Sequence, residues 1–317
     1  MAKEIGIAIG GGAAGAILYL ATFIGGPAGM FLAYLALLPL FATGLGLGTV
    51  SGLVAAVTAT AMVTAATSVL FGVVFALVYA LPAAGLIRQA LLRRGGGVND
   101  EAWYPPGRIL AWLVLYGCGI FAVLALAGGE DEIAAMVSEI ESVMGQVLPT
   151  GDNPRVAEMM KAIAGYFPAI LIFSWSIMVI ANAAIAEALL AKAGRAIRPK
   201  PRYSAVDLPS WYAGATAGLA ALALIAPWMD LGALTFVARN TALAMLVPFL
   251  LVGLSVIHVW SRRWPARMAI LAGCYVVLLL FGWPALLVAG LGFMEQWLLL
   301  RRRIAGGTGL EEKRGWK

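Results

Sequence analysis

The side chains able to do chemistry in this chain are a few polar groups set inside long apolar runs. Thr60, Thr64 and Thr67 recur at three- and four-residue spacing in one run, Tyr116 and Asn182 stand near the middle of two others, and Arg239-Asn240 opens a fourth. Hydroxyl, phenol, carboxamide and guanidinium groups are suited to holding a polar solute by hydrogen bonds and charge. Each also has a structural use. Threonine in an apolar helix bonds its own backbone, asparagine seeks an interhelical partner, and arginine near a helix end reaches for the interface. As ligand contacts, Thr60, Thr64, Tyr116, Asn182, Arg239 and Asn240 would line one cavity.

The titratable groups inside the runs are Glu187, His258 and Glu295. Charged groups in membrane helices mark ion or proton pathways, so these three are relay candidates. The competing reading pairs the glutamates with nearby arginines and packs the histidine at an interface. Bond-breaking chemistry has no visible equipment. With one histidine there is no HExxH zinc site. There is no Gly-x-Ser-x-Gly nucleophile elbow and no Gly-Lys-Ser/Thr phosphate loop. Cys118 and Cys274 sit mid-run and read as packing residues. The expectation is a protein that is not an enzyme and carries no cofactor or metal.

The elements that position these groups follow from composition. Only 12% of the 317 residues are charged and 62% are hydrophobic, about half the charge a water-facing surface requires. From Ile5 to Ile87 there is no Asp, Glu, Lys, Arg or His, a stretch of 83 residues. A membrane helix needs about 20 apolar residues, so the stretch holds three or four spans: four near 5–24, 27–44, 47–66 and 68–87, or three with the N-terminus outside. Further apolar runs lie at 108–127, 167–190, 210–229, 240–261, 268–281 and 284–300. Period-two alternation is missing, which excludes a transmembrane barrel. Soluble enzymes, disulfide-stapled domains and nucleic-acid binders are excluded as well.

Charge then orients the chain. Basic residues collect at the N-terminus, in 88–108, 191–208 and 262–267, and in the tail from Arg301 onward, which together hold 19 of the 22 lysines and arginines. Basic loops stay cytoplasmic. The expected fold is all-α, a polytopic bundle of about ten spans (eight to ten) with both termini cytoplasmic, in a bacterial inner membrane. The last two runs form a hairpin turning at Gly282-Trp283-Pro284. The expected organisation is an N-terminal bundle over 1–127, an extracytoplasmic helical loop over 128–166, a C-terminal bundle over 167–300, and a basic tail over 301–317. In the loop, Ile133, Val137, Ile140, Met144 and Val147 form one apolar stripe, the pattern of an amphipathic helix. The breaker Pro149-Thr-Gly-Asp-Asn-Pro154 ends it, and a short helix over 155–164 follows. The loop either lies on the membrane surface or covers an outward pocket.

Ala8, Gly12 and Ala16 stand four apart, a spacing that lets helix backbones approach closely. They either pack the bundle or dock another membrane subunit. Gly44, Gly46 and Gly48 join the second and third runs and are expected to form a hinge or re-entrant turn.

Leu38-Pro39-Leu40, Gly44-Leu-Gly-Leu-Gly48, Ala80-Leu-Pro-Ala-Ala-Gly-Leu86 and Trp103-Tyr-Pro-Pro-Gly107 resemble the pattern of the YybS-like family. These are bacterial integral membrane proteins of unknown function, distantly similar to the S components of energy-coupling-factor transporters. The resemblance covers about 5–300. It implies a helical bundle with cytoplasmic termini that binds a solute near its outer face and docks a coupling protein through small residues of its first helix. S components have six spans, so the additional spans here would be an extension. The expected partners are the lipid bilayer, a small-molecule solute, and a membrane-protein partner or a second copy; no nucleic acid is expected. The functional expectation is solute binding or transport, and the alternative is a non-transporting membrane scaffold.

Overall fold

The computed structural model describes residues 2–94, 102–147, 154–201 and 206–304. The Pro149–Pro154 breaker and the tail beyond Ile304 fall mainly outside these residues. The helices are α1 (Ala2–Leu20), α2 (Gly26–Tyr34), α3 (Leu37–Leu47), α4 (Thr49–Ala66), α5 (Val69–Phe75), α6 (Leu81–Ala90), α7 (Pro106–Val147), α8 (Pro154–Lys192), α9 (Ser210–Ile225), α10 (Gly232–Ala244), α11 (Leu246–Ser261), α12 (Arg267–Phe281), α13 (Pro284–Leu298) and α14 (Leu300–Ile304). A two-residue antiparallel pair joins β1 (Arg93–Arg94) to β2 (Ala102–Trp103) between α6 and α7.

Among the described residues, eight segments are long and apolar enough to cross a membrane: Ala2–Ile24, Gly26–Leu47, Thr49–Ala66, Val69–Ala90, Pro106–Gln146, Arg155–Lys192, Ser210–Met229 and Gly232–Ser261. Helices α12 and α13 have 15 residues each and rise about 22 Å, less than the ~30 Å hydrocarbon core. Gly282, at φ +67°, separates them.

Two compact units are present. One takes the described residues of 1–109 and 177–202; the other takes those of 110–176 and 203–304. The units interleave along the chain, because α8 contributes to both.

In the first unit the small residues of α1 are consumed internally. Ala8, Gly12 and Ala16 are buried. A Cβ at Gly12 would collide with the Ala55 carbonyl and lie 2.8 Å from Thr58 Cβ, so α1 and α4 meet backbone to backbone. Gly15 does the same toward α3, where its Cβ would come within 2.9 Å of the Ala36 carbonyl. The face expected to dock a partner is therefore occupied by α3 and α4. The outward side of α1 carries Gly6 and Gly10 instead, with nothing within 4 Å of either.

The expected glycine hinge is narrower than its sequence. Gly44 and Gly46 are helical and serve packing: Cβ atoms there would meet Ile87 Cδ1 at 2.5 Å and Leu190 Cδ2 at 2.8 Å. Only Gly48, at φ +106°, makes the turn between α3 and α4, in a region closed to most L-residues.

In the second unit α11 and α13 cross at Gly253 and Gly292. A Cβ on either would collide with a carbonyl of the other helix, that of Val288 or of Phe249. A ladder of rings runs beside the crossing: Tyr212 to Phe249 at 5.4 Å, Phe249 to Phe293 at 5.2 Å and Phe293 to Trp297 at 4.9 Å.

Candidate functional site

One polar arrangement in the second unit joins α8 to α10 at a proline. Pro168 lies inside α8 and has no N–H, so the Ala164 carbonyl loses its helical donor. At the next step of the same helix, the Asn240 carboxamide enters from α10. Its Oδ1 accepts from Ala169 N at 3.1 Å, and its Nδ2 donates to the Gly165 carbonyl at 3.1 Å and to the Phe236 carbonyl at 3.0 Å. One side chain thus bridges a whole turn of α8 across the interruption, and it is 0% exposed. Arg239 Nη2 donates to the same Gly165 carbonyl at 2.9 Å. Its guanidinium carbon sits 4.2 Å from the centre of the Tyr166 ring and 5.9 Å from that of Phe236. Its Nε–H is buried without an acceptor.

Other helix interruptions are met the same way. Between α2 and α3, Asn182 Nδ2 donates to the Tyr34 carbonyl at 2.8 Å and to the Met178 carbonyl at 2.8 Å, while its Oδ1 is buried without a donor. Between α10 and α11, Tyr212 Oη donates to the Met245 carbonyl at 3.1 Å. In hydrocarbon, backbone groups freed by a broken helix are satisfied by neighbouring side chains.

The remaining solute-contact candidates have local partners. Thr60 donates to the Ala56 carbonyl at 2.9 Å and Thr64 to the Thr60 carbonyl at 2.8 Å, each within α4. Tyr116 stacks on Trp175 at 6.2 Å, and Gly117 beside it leaves room for the indole. Thr60, Thr64 and Asn182 belong to the first unit; Tyr116, Arg239 and Asn240 belong to the second. Arg239 and Asn240 meet on one group, the Gly165 carbonyl, and Thr64 bonds to Thr60 one turn back in the same helix. Gly165, Tyr166, Pro168 and Tyr212 were not singled out by sequence reasoning. Pro168 is the available signal, hidden because the apolar run at 167–190 begins one residue before it.

The relay candidates are likewise divided. Glu187 lines a shallow cleft of the first unit with Leu45, Leu190, Ile197 and Arg198. In the second unit, His258 Nδ1 lies 2.9 Å from the Leu254 carbonyl, and its ring packs edge-on to Tyr275 at 5.9 Å. Glu295 is buried and ion-paired with Arg301 Nε at 2.8 Å; it also accepts from Arg301 N at 3.3 Å. The turn that folds Arg301 back is Leu299, at φ +49°. Arg301 reaches on to the Val206 carbonyl at 3.0 Å and to Asp207 at 2.6 Å. The two arms of this cluster differ in environment. Asp207 is 72% exposed and Glu295 3%. An exposed pair contributes at most about 1 kcal/mol, so Asp207→Asn is expected to leave detergent melting within that margin, most of it lost in high salt. A larger loss, unchanged by salt, would show that the exposed arm carries the cluster.

Among the described residues, no three His, Cys, Asp or Glu side chains come together as a metal site. No family model, no curated protein and no solved structure matches the chain.

Proposed function

We propose that the chain is a multi-pass protein of a bacterial inner membrane that binds a small solute and helps to move it across the bilayer. The arrangement in this reading has ten spans, with the α12–α13 hairpin as the last two and both termini cytoplasmic. The charge distribution supports that orientation. The observation that carries the solute reading is Arg239. It is a guanidinium within an apolar segment, oriented by the Gly165 carbonyl and the Tyr166 ring, beside a helix interrupted by proline. Ionisable groups inside membrane segments are functional by default. α8 stays helical through Pro168, and the proline leaves one backbone carbonyl of that helix without its usual donor. The S-component-like role implied by the family resemblance would then rest on faces of α1 other than Ala8, Gly12 and Ala16. No catalytic step is part of this reading.

Purified protein in mild detergent, screened by thermal unfolding against small solutes, tests it. A ligand at 100 times its Kd stabilises a folded state by about 2.7 kcal/mol. At least one solute is expected to raise the melting temperature, and Arg239→Gln is expected to lose that shift. The second reading, a membrane scaffold, is favoured by the exposed Gly6 and Gly10 on α1, a close-packing face without a neighbour. Native mass spectrometry separates the two. A retained small molecule supports the solute reading, and a stoichiometric protein partner without ligand supports the scaffold.

A further inference from the structure

We infer that the ligand of the second unit is an oxyanion, a carboxylate or a phosphate, and that Arg239 is the residue that selects it; this rests on the reading that the unit binds a solute. A guanidinium in an apolar segment is costly unless a negative charge meets it. Among the described residues Arg239 has no carboxylate partner. Its contacts are one backbone carbonyl and two aromatic rings, and its Nε–H lacks an acceptor. Two acids of the same unit are engaged elsewhere. Glu130 accepts from Ala233 N at 3.3 Å, at the start of α10, about two turns before Arg239. Glu295 holds Arg301.

The guanidinium is also held in one orientation. Asn240, next in sequence, is locked into α8 by hydrogen bonds at both ends of its carboxamide, and the guanidinium lies over the Tyr166 ring. A planar fork held this way is matched to carboxylate and phosphate oxygens. Arg239 is half-buried beside the exposed Tyr166, so a ligand would meet the guanidinium at its outer nitrogens and not at the buried Nε. Lys161 is exposed one turn before Gly165, on the same face of α8, with Glu158 a further turn away.

The oxyanion could be a free solute or a lipid headgroup, and the test has an arm for each. Wild type, Arg239→Gln and Arg239→Lys are compared by thermal unfolding with inorganic phosphate, succinate and glucose at matched ionic strength. The same proteins are then compared in nanodiscs of phosphatidylglycerol and of phosphatidylcholine. Phosphate or succinate is expected to stabilise wild type where glucose does not. Arg239→Gln is expected to weaken that binding at least tenfold, with part recovered in Arg239→Lys, which keeps the charge and guards against a simple folding defect. Protection by phosphatidylglycerol alone, lost in Arg239→Gln, also supports the assignment and makes the oxyanion a headgroup. Protection by glucose, equal in wild type and Arg239→Gln, overturns the oxyanion while leaving solute binding intact. Protection by none of these probes overturns the oxyanion assignment, and a stoichiometric protein partner in the native mass spectrum would then remove the solute reading too.

Discussion

Gly292→Leu is expected to disrupt the folded second unit. At the crossing of α11 and α13, Gly292 faces the Phe249 carbonyl and lies so close to Gly253 that an added Cβ would sit 2.7 Å from Gly253 N. Gly253 faces the Val288 carbonyl in return, with Val288 Cγ1 at 3.0 Å from its own added Cβ. Both partners are main chain, so no side chain can rotate away, and any substituent must separate the helices. Overpacking of even a few methylenes costs about 1–3 kcal/mol when side chains can adjust. Here Gly292→Ala is expected to cost at least that much, and Gly292→Leu to exceed it. The ring ladder from Tyr212 through Phe249 to Phe293 would open with the crossing, exposing the Tyr212 hydroxyl's contact with the Met245 carbonyl. Size-exclusion behaviour and thermal unfolding in mild detergent measure the effect. Gly290→Ala is the control on the same helix: nothing lies within 4 Å of it, and alanine gains up to about 1 kcal/mol of helix propensity over glycine. A Gly292→Leu protein that elutes and melts like wild type would mean that α11 and α13 are not in backbone contact.

The first four apolar segments were legible because their ends are written in the sequence. The expected 5–24, 27–44, 47–66 and 68–87 correspond to Ala2–Ile24, Gly26–Leu47, Thr49–Ala66 and Val69–Ala90. Gly25 and Gly48 carry positive φ at two of the joins, and Ser68 caps α5 through Phe71 N. The use of each glycine was not legible. Gly6, Gly10, Gly12 and Gly292 are the same residue in similar apolar company, and only the partner helix decides which of them is a contact. For Gly292 that partner is about 40 residues away in sequence. The polar side chains were visible as groups that need partners. That Asn182 would find its partner on helix-end backbone depends on where α2 ends, and that Asn240 would find its own on α8 depends on where Pro168 falls in that helix. Pro168 concealed its own effect: proline is tolerated in a first turn, and the apolar run begins beside it. The helix begins at Pro154, because the polar stretch before the run is also helical, so Pro168 is interior.

Asn240→Leu is expected to be the most damaging single change at the α8–α10 junction. It removes the acceptor of Ala169 N and two donors, to Gly165 and Phe236. The Gly165 carbonyl keeps Arg239; Ala169 N keeps only what its own helix offers. A buried polar group left unpaired costs about 1–3 kcal/mol, and Asn240 lies in a position with no access to water. Asn240→Asp should be no better, since a carboxylate can still accept from Ala169 N but turns a second oxygen toward the Gly165 carbonyl. Proline makes the prediction specific. If the carboxamide compensates for the interruption, restoring the N–H with Pro168→Ala should reduce the damage. The Asn240→Leu penalty measured in the Pro168→Ala background should then be smaller than in wild type by more than the ~0.5 kcal/mol within which independent sites add. Additive penalties would mean that the amide is an ordinary interhelical bond and does not compensate for the proline. Coupling would mean that α8 is held in its interrupted form by α10, so that the orientation of Arg239 and the shape of α8 are set by the same side chain.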